Sequence, residues 1–579
     1  MLKQAIYHKV YSDYAYPLSN RDLLIKIRTK KNDIKDINLI YLDKYKYSTS
    51  KETNTAKMSK VASDNLFDYF EGIIEHDYIS VNYYFELVDD KERLYYGNYL
   101  FSTDKPDEGS EFFNFPVMSE KDIFIVPQWA NESIVYQIFP DRFYNGDKTI
   151  DPQNVKPWNS KVDREIMLGG DLSGIIDKLD YIEDLGVNTI YMTPIFTAGS
   201  NHKYNTFDYF EIDPQFGTLE TLKELVNSAH KRNIRVILDA VFNHSGVEFL
   251  PFVDVRENGE KSVYKDWFDI RKFPVEIKNV PDYGTFAYGG YMPKLMTNNE
   301  ATKKYLIDVA TYWIREADID GWRLDVADEV DHHFWREFRQ AVKNVKPDVL
   351  IVGEVWYESS SWLQGDEFDS VMNYVFTSAV KDFVAFNKIN AKEFGERIES
   401  IRGMYKIPAH NVLWNLIGSH DTARFLNVAK EDVDRLKLAA FIQLTFTGIP
   451  MIYYGDEIGM TGADDPDCRR GMVWNVDKQN KTLKQYYKKL ISIRKANKVF
   501  TQGNFVTVLV DGQDNIYGFR RKLKDETIEG YINNGDKSES INIKVNRICL
   551  DLIENKTHIP VRGMVTIEIP AKSGVIIKL

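Results

Sequence analysis

The sequence predicts an α/β protein built on a (β/α)8 TIM barrel, with a small domain inserted after its third strand and a β-sandwich at either end. Three observations lead there. Between residues 123 and 502 short apolar runs alternate with amphipathic segments, the pattern of repeated βα units. One connection, after Asn243, is far longer than the others. Both ends of the chain read as strands, with period-two alternation in place of helical periodicity.

Residues 1–122 alternate β-branched and aromatic residues with polar ones, as at 23–28 and 37–42, and end in a linker near 115–120. This is the N-terminal sandwich. The barrel follows as 123–242 and 298–502. Its strand candidates are 134–139, 189–193, 236–240, 321–325, 350–354, 370–374, 413–418 and 449–454. Parallel strands covered on both faces read as continuous apolar runs, as these do. Helices are expected between them, among them 173–185, with Asp171 or Ser173 as N-cap and Gly186 as C-cap, and 219–232. The long connection at 243–297 predicts the inserted domain beside the active face. Residues 503–579 return to strand text at 505–510, 516–521 and 565–569, which predicts the C-terminal sandwich.

Lys and Arg number 74 against 86 Asp and Glu, a net charge of −12, which offers a phosphate backbone or an anionic bilayer no attraction. Neither a nucleic acid nor a membrane is an expected partner. Two cysteines, Cys468 and Cys549, build neither a disulfide framework nor a thiolate metal cluster. The first residues lack the apolar segment of a secretory signal, and no apolar run is long enough to span a bilayer. A soluble, cytoplasmic protein is expected. Aromatic residues are abundant at 13%, with 35 Tyr and 10 Trp, which suits either a Tyr-rich β surface or stacking against sugar rings.

Barrels of this kind place their chemistry at the C-terminal ends of the strands. Polar residues close five of the eight runs: Asp239 to His244, Arg323 and Asp325, Glu354, His420 with Asp421, and Asp456 with Glu457. Arg323 and Asp325 lie two apart, so they share one face of a strand. The guanidinium is expected to lower the pKa of the carboxyl and keep it ionised, as a nucleophile requires. Glu354 closes the next strand beside Trp356, an apolar surface that suits a raised pKa and a general acid. Two such carboxyls from adjacent strands are what retaining glycoside hydrolysis uses. Each residue also has an ordinary structural reading, as a helix N-cap, an ion pair or a core histidine. Their convergence on one rim is what favours chemistry.

The segments DAVFNH at 239–244, GWRLDVADEV at 321–330, GEVW at 353–356 and GSHDT at 418–422 resemble, in order and spacing, the four motifs of the α-amylase family, glycoside hydrolase family 13. MPKL at 292–295 and VDHHFWREFR at 330–339 resemble its neopullulanase, cyclomaltodextrinase and maltogenic amylase branch. The resemblance runs the length of the chain, because that branch carries a starch-binding-type N-terminal module, an inserted domain and a C-terminal β domain.

The resemblance implies that Asp325 is the nucleophile, Glu354 the acid/base and Asp421 the stabiliser of the transition state. It implies that His202, Tyr204, His244, Arg323 and His420 line the sugar subsite at the bond cleaved, with Tyr204 stacking under the glucose. Phe286 and Trp356 match acceptor-side aromatics, and Asp465 and Arg469 match a pair that closes the donor side. A structural Ca2+ is implied at Asn145, Asp147, Asp151, Gly169 and Asp171, with Ile150 where relatives often have Asn. Hard oxygen donors are the right ligands for that ion. Three further departures, Asp328 for Asn, Met296 for Asn and Ala423 for Pro, lie near the acceptor side.

The expected function is retaining hydrolysis of α-1,4, and in part α-1,6, glucosidic bonds of cyclodextrins, maltooligosaccharides and pullulan. Maltose and panose are the expected products, with some transglycosylation. The branch also implies a homodimer through the N-terminal module. An oligo-α-1,6-glucosidase or a transferase of the same superfamily is the alternative, and a non-catalytic glucan-binding protein is disfavoured because all three acids are present.

Overall fold

The computed structural model describes residues 1–50 and 52–579, and of residues 47 and 48 the backbone alone. Eight parallel strands form its centre: β1 (Val135–Ile138), β2 (Thr189–Met192), β3 (Arg235–Ala240), β4 (Gly321–Leu324), β5 (Leu350–Gly353), β6 (Ser370–Val371), β7 (Trp414–Leu416) and β8 (Ile449–Tyr453). They neighbour one another in the order 6-5-4-3-2-1-8-7, and a parallel bridge from Met372 to Trp414 joins β6 to β7 and closes the ring. Every residue of β1, β2, β4, β5 and β8 is buried, which is why these runs are largely apolar, with Gln137 in β1 and Arg323 in β4 as the strongly polar exceptions.

The sixth strand is shorter than the 370–374 run because Asn373 leaves the sheet to cap the helix Tyr374–Val380, accepting the Phe376 N–H at 3.2 Å. The helix expected over 173–185 is two helices, Leu172–Asp177 and Leu179–Leu185. Lys178 leaves helical geometry between them and lays its ammonium over the rings of Tyr144 and Trp474, 3.7 and 4.7 Å from their centroids. Asp171 rather than Ser173 is the N-cap, and Gly186 ends the pair at φ 94°, a left-handed conformation that suits glycine. The segment after β3 holds one helix, Leu250–Asn258, and short turns before the long helix Glu300–Ala317.

The N-terminal module is two sheets closed on a core that includes Leu23, Ile25, Leu39, Tyr83 and Phe85. Its strand Asp22–Lys30 departs from simple alternation, because Leu24 and Lys26 are buried as well. This second face meets the barrel: the Ile407 N–H donates to Tyr16 Oη at 2.9 Å, and Lys31 pairs with Glu396.

Two buried arginines lie where the C-terminal sheets meet the barrel, Arg521 on a C-terminal strand reaching Thr445 of the barrel, and Arg494 nearby on the barrel helix Lys481–Ala496. Arg521 donates to the carbonyls of Gly503, Asn504 and Thr445 at 2.9, 3.1 and 3.2 Å, and Arg494 to those of Leu444 and Phe446 at 3.0 and 3.2 Å. Neither has a carboxylate partner among the described residues. Burial therefore lowers both pKa values, that of Arg494 to about 10. Removing such a donor strands several buried carbonyls. Arg521→Ala is expected to destabilise the protein by about 2–4 kcal/mol, read as a lower unfolding midpoint in urea, whereas Lys522→Ala on the exposed face moves it little.

Candidate active site

Strand register assembles the site. Asp239 on β3 lies opposite Arg323 on β4, and Leu324 lies opposite Gly353 on β5, so Asp325 and Glu354 emerge side by side one residue beyond the sheet. The ladder continues through them: the Asp325 N–H donates to the Ala240 carbonyl and the Glu354 N–H to that of Leu324.

Arg323 is the hub. Fully buried, it places Nη1 3.0 Å from Asp239 Oδ2 and 2.9 Å from Asp325 Oδ1, and Nη2 2.7 Å from Glu354 Oε1. One cation thus serves three carboxyls. The expectation that Arg323 would lower the pKa of Asp325 is corrected in its net effect. Burial is the larger influence and pushes the Asp325 carboxyl up, Arg323 pulls it back, and the charges of Glu354 and Asp239 push it up again. Burial likewise raises Glu354, with Arg323 opposing and Asp421 adding to the rise, and it brings Asp239 to about 6. Three carboxyls cannot all be charged beside one guanidinium at low cost, so the cluster holds a proton and titrates as a unit.

Hydrogen bonds decide where charge is tolerated. Asp239 accepts from Tyr191 and Tyr204 at 2.6 and 3.0 Å. Glu354 accepts from the Val326 N–H at 3.0 Å and from the Trp356 indole at 3.2 Å. Val326 lies at φ 45°, a strained conformation for a β-branched residue that turns its N–H onto that carboxylate. His420 is held by Gln137, whose amide donates to Nδ1 at 2.7 Å. Its Nε2 is therefore protonated and faces Tyr204 Oη at 2.6 Å and Asp421 Oδ2 at 3.2 Å. Burial and the neighbouring Arg469 keep His420 neutral. His202 and His244 are also neutral, burial bringing each to about 3.

A cleft of about 690 Å³ opens above this layer. It is lined by Asp325, Glu354, Asp421, His202, Tyr204, His244, Phe286, Trp356, Asp465 and Arg469, while Arg323 and His420 lie beneath them. All twelve residues expected at the site therefore come together. Tyr204 lies near-parallel to His420 and His202 with centroids 5.5 and 5.8 Å away, His244 stacks on Phe286, and Trp356 stacks on Tyr374 with centroids 3.9 Å apart. His244 Nε2, buried and without a partner among the described residues, also belongs to this lining. Arg469 links Asp421 and Asp465, at 3.1 and 2.9 Å. Three participants escaped sequence reading. Gln137 carried a signal, a polar residue inside an apolar run, and Tyr374 closed the sixth run as an aromatic; Arg164, paired with Asp465 at 3.3 Å, carried none.

The expected calcium ligands lie on the loops after β1. Asn145 Oδ1 is buried and without a partner among the described residues, while its amide donates to Asp151 Oδ1 at 2.6 Å. Gly169 sits against both at φ 79°, where a Cβ would come within 2.6 Å of each. Asp171 spends its oxygens on the N–H groups of Gly146, Asp147 and Gly174, and Asp147 accepts from Thr149. No group of three His, Cys, Asp or Glu side chains suited to a metal forms among the described residues. The oxygens that remain are the Asn145 amide and the Asp151 carboxylate, donors of the kind that a hard cation takes.

The model of the α-amylase catalytic domain matches residues 137–480, and that of the α-amylase N-terminal ig-like domain matches residues 1–119. The chain belongs to the α-amylase family. It is a glycoside hydrolase. The family assignment agrees with a cyclomaltodextrinase of Thermoanaerobacter pseudethanolicus, 48% identical over 93% of this chain and 94% of that protein. Neopullulanase 2 of Thermoactinomyces vulgaris is 45% identical over 94% and 93%. Among solved structures, a cyclomaltodextrinase superposes with a TM-score of 0.96 at 42% identity, covering 100% of both chains.

The indole bond to Glu354 stabilises its charged form, so its loss must raise the pKa of that carboxyl. Trp356→Phe is expected to move the alkaline limb of the kcat/KM profile, where activity falls as Glu354 loses its proton, to higher pH. An unmoved limb contradicts the assignment of that limb to Glu354.

Proposed function

We propose that the protein is a retaining α-glucan hydrolase that opens cyclodextrins and cleaves maltooligosaccharides and pullulan. Maltose and panose are the main products, with some transfer to sugar acceptors. The observation that carries this is the sharing of Arg323 by carboxyls at the ends of three adjacent strands, under an aromatic cleft. The names of the relatives, cyclomaltodextrinase, maltogenic α-amylase and neopullulanase, support the substrate class.

In the reaction, Asp325 attacks the anomeric carbon while Glu354 gives its proton to the departing glycosidic oxygen. The glycosyl ester on Asp325 is then attacked by water or a sugar hydroxyl, whose proton passes to Glu354 as the Asp325 carboxylate leaves. Arg323 opposes the protonation that burial favours on Asp325, and burial with Asp421 favours the proton on Glu354. Asp421, fixed by Arg469 and His420, is suited to binding sugar hydroxyls in the oxocarbenium-like transition state. Tyr204 offers a ring face, and His244 Nε2 a free imidazole nitrogen. Asp328, which accepts from Tyr357 at 2.6 Å, lines the acceptor wall and bears on bond preference, whereas Met296 and Ala423 are not among the residues that line the cleft.

Three further readings belong to this proposal. Ca2+ is held by Asn145, Asp151 and Gly169 with Asp147 and Asp171 around them, in a structural role. The N-terminal module joins two copies as a homodimer, a reading that rests on the resemblance of the whole chain to that branch. The protein works in the cytoplasm, in keeping with two buried free cysteines; a relative in Bacillus subtilis is named intracellular maltogenic amylase, and no helix is long and apolar enough to cross a membrane among the described residues.

Product analysis on β-cyclodextrin, linear maltooligosaccharides, pullulan and starch tests the reaction. Ring opening to maltose, panose from pullulan and slow attack on starch are expected. Asp325→Asn is expected to lose at least about a thousandfold in kcat. Inert cyclodextrin with brisk cleavage of α-1,6-linked oligosaccharides moves the protein to the glucosidase reading. Chelation is expected to lower the thermal midpoint of the wild type and not that of Asn145→Ala. Light scattering is expected to give a dimer at micromolar concentration, and a monomer contradicts it.

A further inference from the structure

Asp325 and Glu354 fix the direction of the cleft. On the proposed reaction the leaving group departs past Glu354, where Trp356, Asp328 and Glu329 form the wall. The glycosyl unit kept on Asp325 must extend the other way, past Asp421, Arg469 and Asp465.

That end is bordered by a row of alternating charges. Asp421 meets Arg469 at 3.1 Å, Arg469 meets Asp465 at 2.9 Å, and Asp465 meets Arg164 at 3.3 Å. Arg164 comes from the segment after β1 and Asp465 from the segment after β8, neighbouring strands in the barrel, so the last pair ties two loops across the cleft. Both arms are stiff. The buried Asn201 amide donates to the carbonyls of Arg164 and Ile166 at 3.1 and 2.9 Å, and the buried Arg142 donates to Ile166 at 2.8 Å. On the other arm Arg469 Nε is fixed to the His420 carbonyl at 2.8 Å.

The Arg164 side chain is 67% exposed, so its ion pair adds little stability in water. Its consequence is position: a bulky guanidinium is held at the end of the space that the glycosyl unit must fill. The same two loops also border a separate open cavity of about 600 Å³ lined by Trp158, Lys161, Asp467 and Arg470.

We propose that Arg164 is a specificity-determining residue: by pairing with Asp465 it shortens the donor side of the cleft and sets the length of the glycosyl unit released. The proposal rests on the α-glucan hydrolase reading. It concerns how much sugar fits on one side of the cleaved bond, and it leaves the chemistry to Asp325 and Glu354.

The test is the ratio of maltotriose to maltose released from the non-reducing end of reducing-end-labelled maltohexaose. Arg164→Ala is expected to raise that ratio several-fold over the wild type. Arg164→Glu, which repels Asp465, raises it as well, and Arg164→Lys, which keeps a cation opposite Asp465, stays near the wild type. An unchanged ratio in Arg164→Ala and Arg164→Glu overturns the proposal, even where the overall rate falls, because a merely structural role lowers both products together. A wild type inert towards maltohexaose and β-cyclodextrin alike refutes the hydrolase reading itself, a result separate from an unchanged ratio.

Discussion

One buried guanidinium constrains this molecule. Arg323 has no solvent to share its charge with, and three carboxyls reach it from three adjacent strands. Each carboxyl alone in this setting would be neutral, because burial penalises its charged form. With all three ionised, the cluster would carry excess negative charge in a poorly solvated layer. The arrangement therefore favours a mixed state in which at least one carboxyl keeps its proton. Retaining glycoside hydrolysis needs that state, a charged nucleophile beside a protonated acid.

The barrel makes the arrangement possible by register alone. Parallel neighbours bring residues at equal height together, so Asp239 meets Arg323 and the next step outward presents Asp325 and Glu354. A second layer then holds these groups still. Tyr191 and Tyr204 bind Asp239, the Val326 N–H and the Trp356 indole bind Glu354, and Gln137 sets the tautomer of His420. The Trp356 ring is itself held by stacking on Tyr374. Rigid positions of this kind matter because the carboxyls gain their functional pKa values from fixed neighbours.

Much of this was legible in the sequence. Buried parallel strands write themselves as apolar runs, and the polar residues that close them are the site. What escaped depends on distance or on local geometry. The net pKa of Asp325 was misjudged because the pair Arg323 and Asp325 is adjacent in sequence, whereas Glu354 and Asp239 join it only through the fold. The sixth strand was read too long because Asn373 looks like strand text until it caps a helix. The break at Lys178 follows from a cation meeting two rings distant in sequence, Tyr144 and Trp474. Arg164 and Asp465 lie 301 positions apart, in loops whose text shows no period.

The sharing of Arg323 is tested most directly by the pH profile of kcat/KM for Arg323→Met against the wild type. Asp325 must be charged to attack, so activity falls on the acid side as it gains a proton. Without the guanidinium the main opposition to burial is lost, and the acid limb is expected to move to higher pH by at least about one unit, with a reduced plateau. A reduced plateau with the acid limb unmoved would contradict it, because the charge on Asp325 would then owe nothing to Arg323.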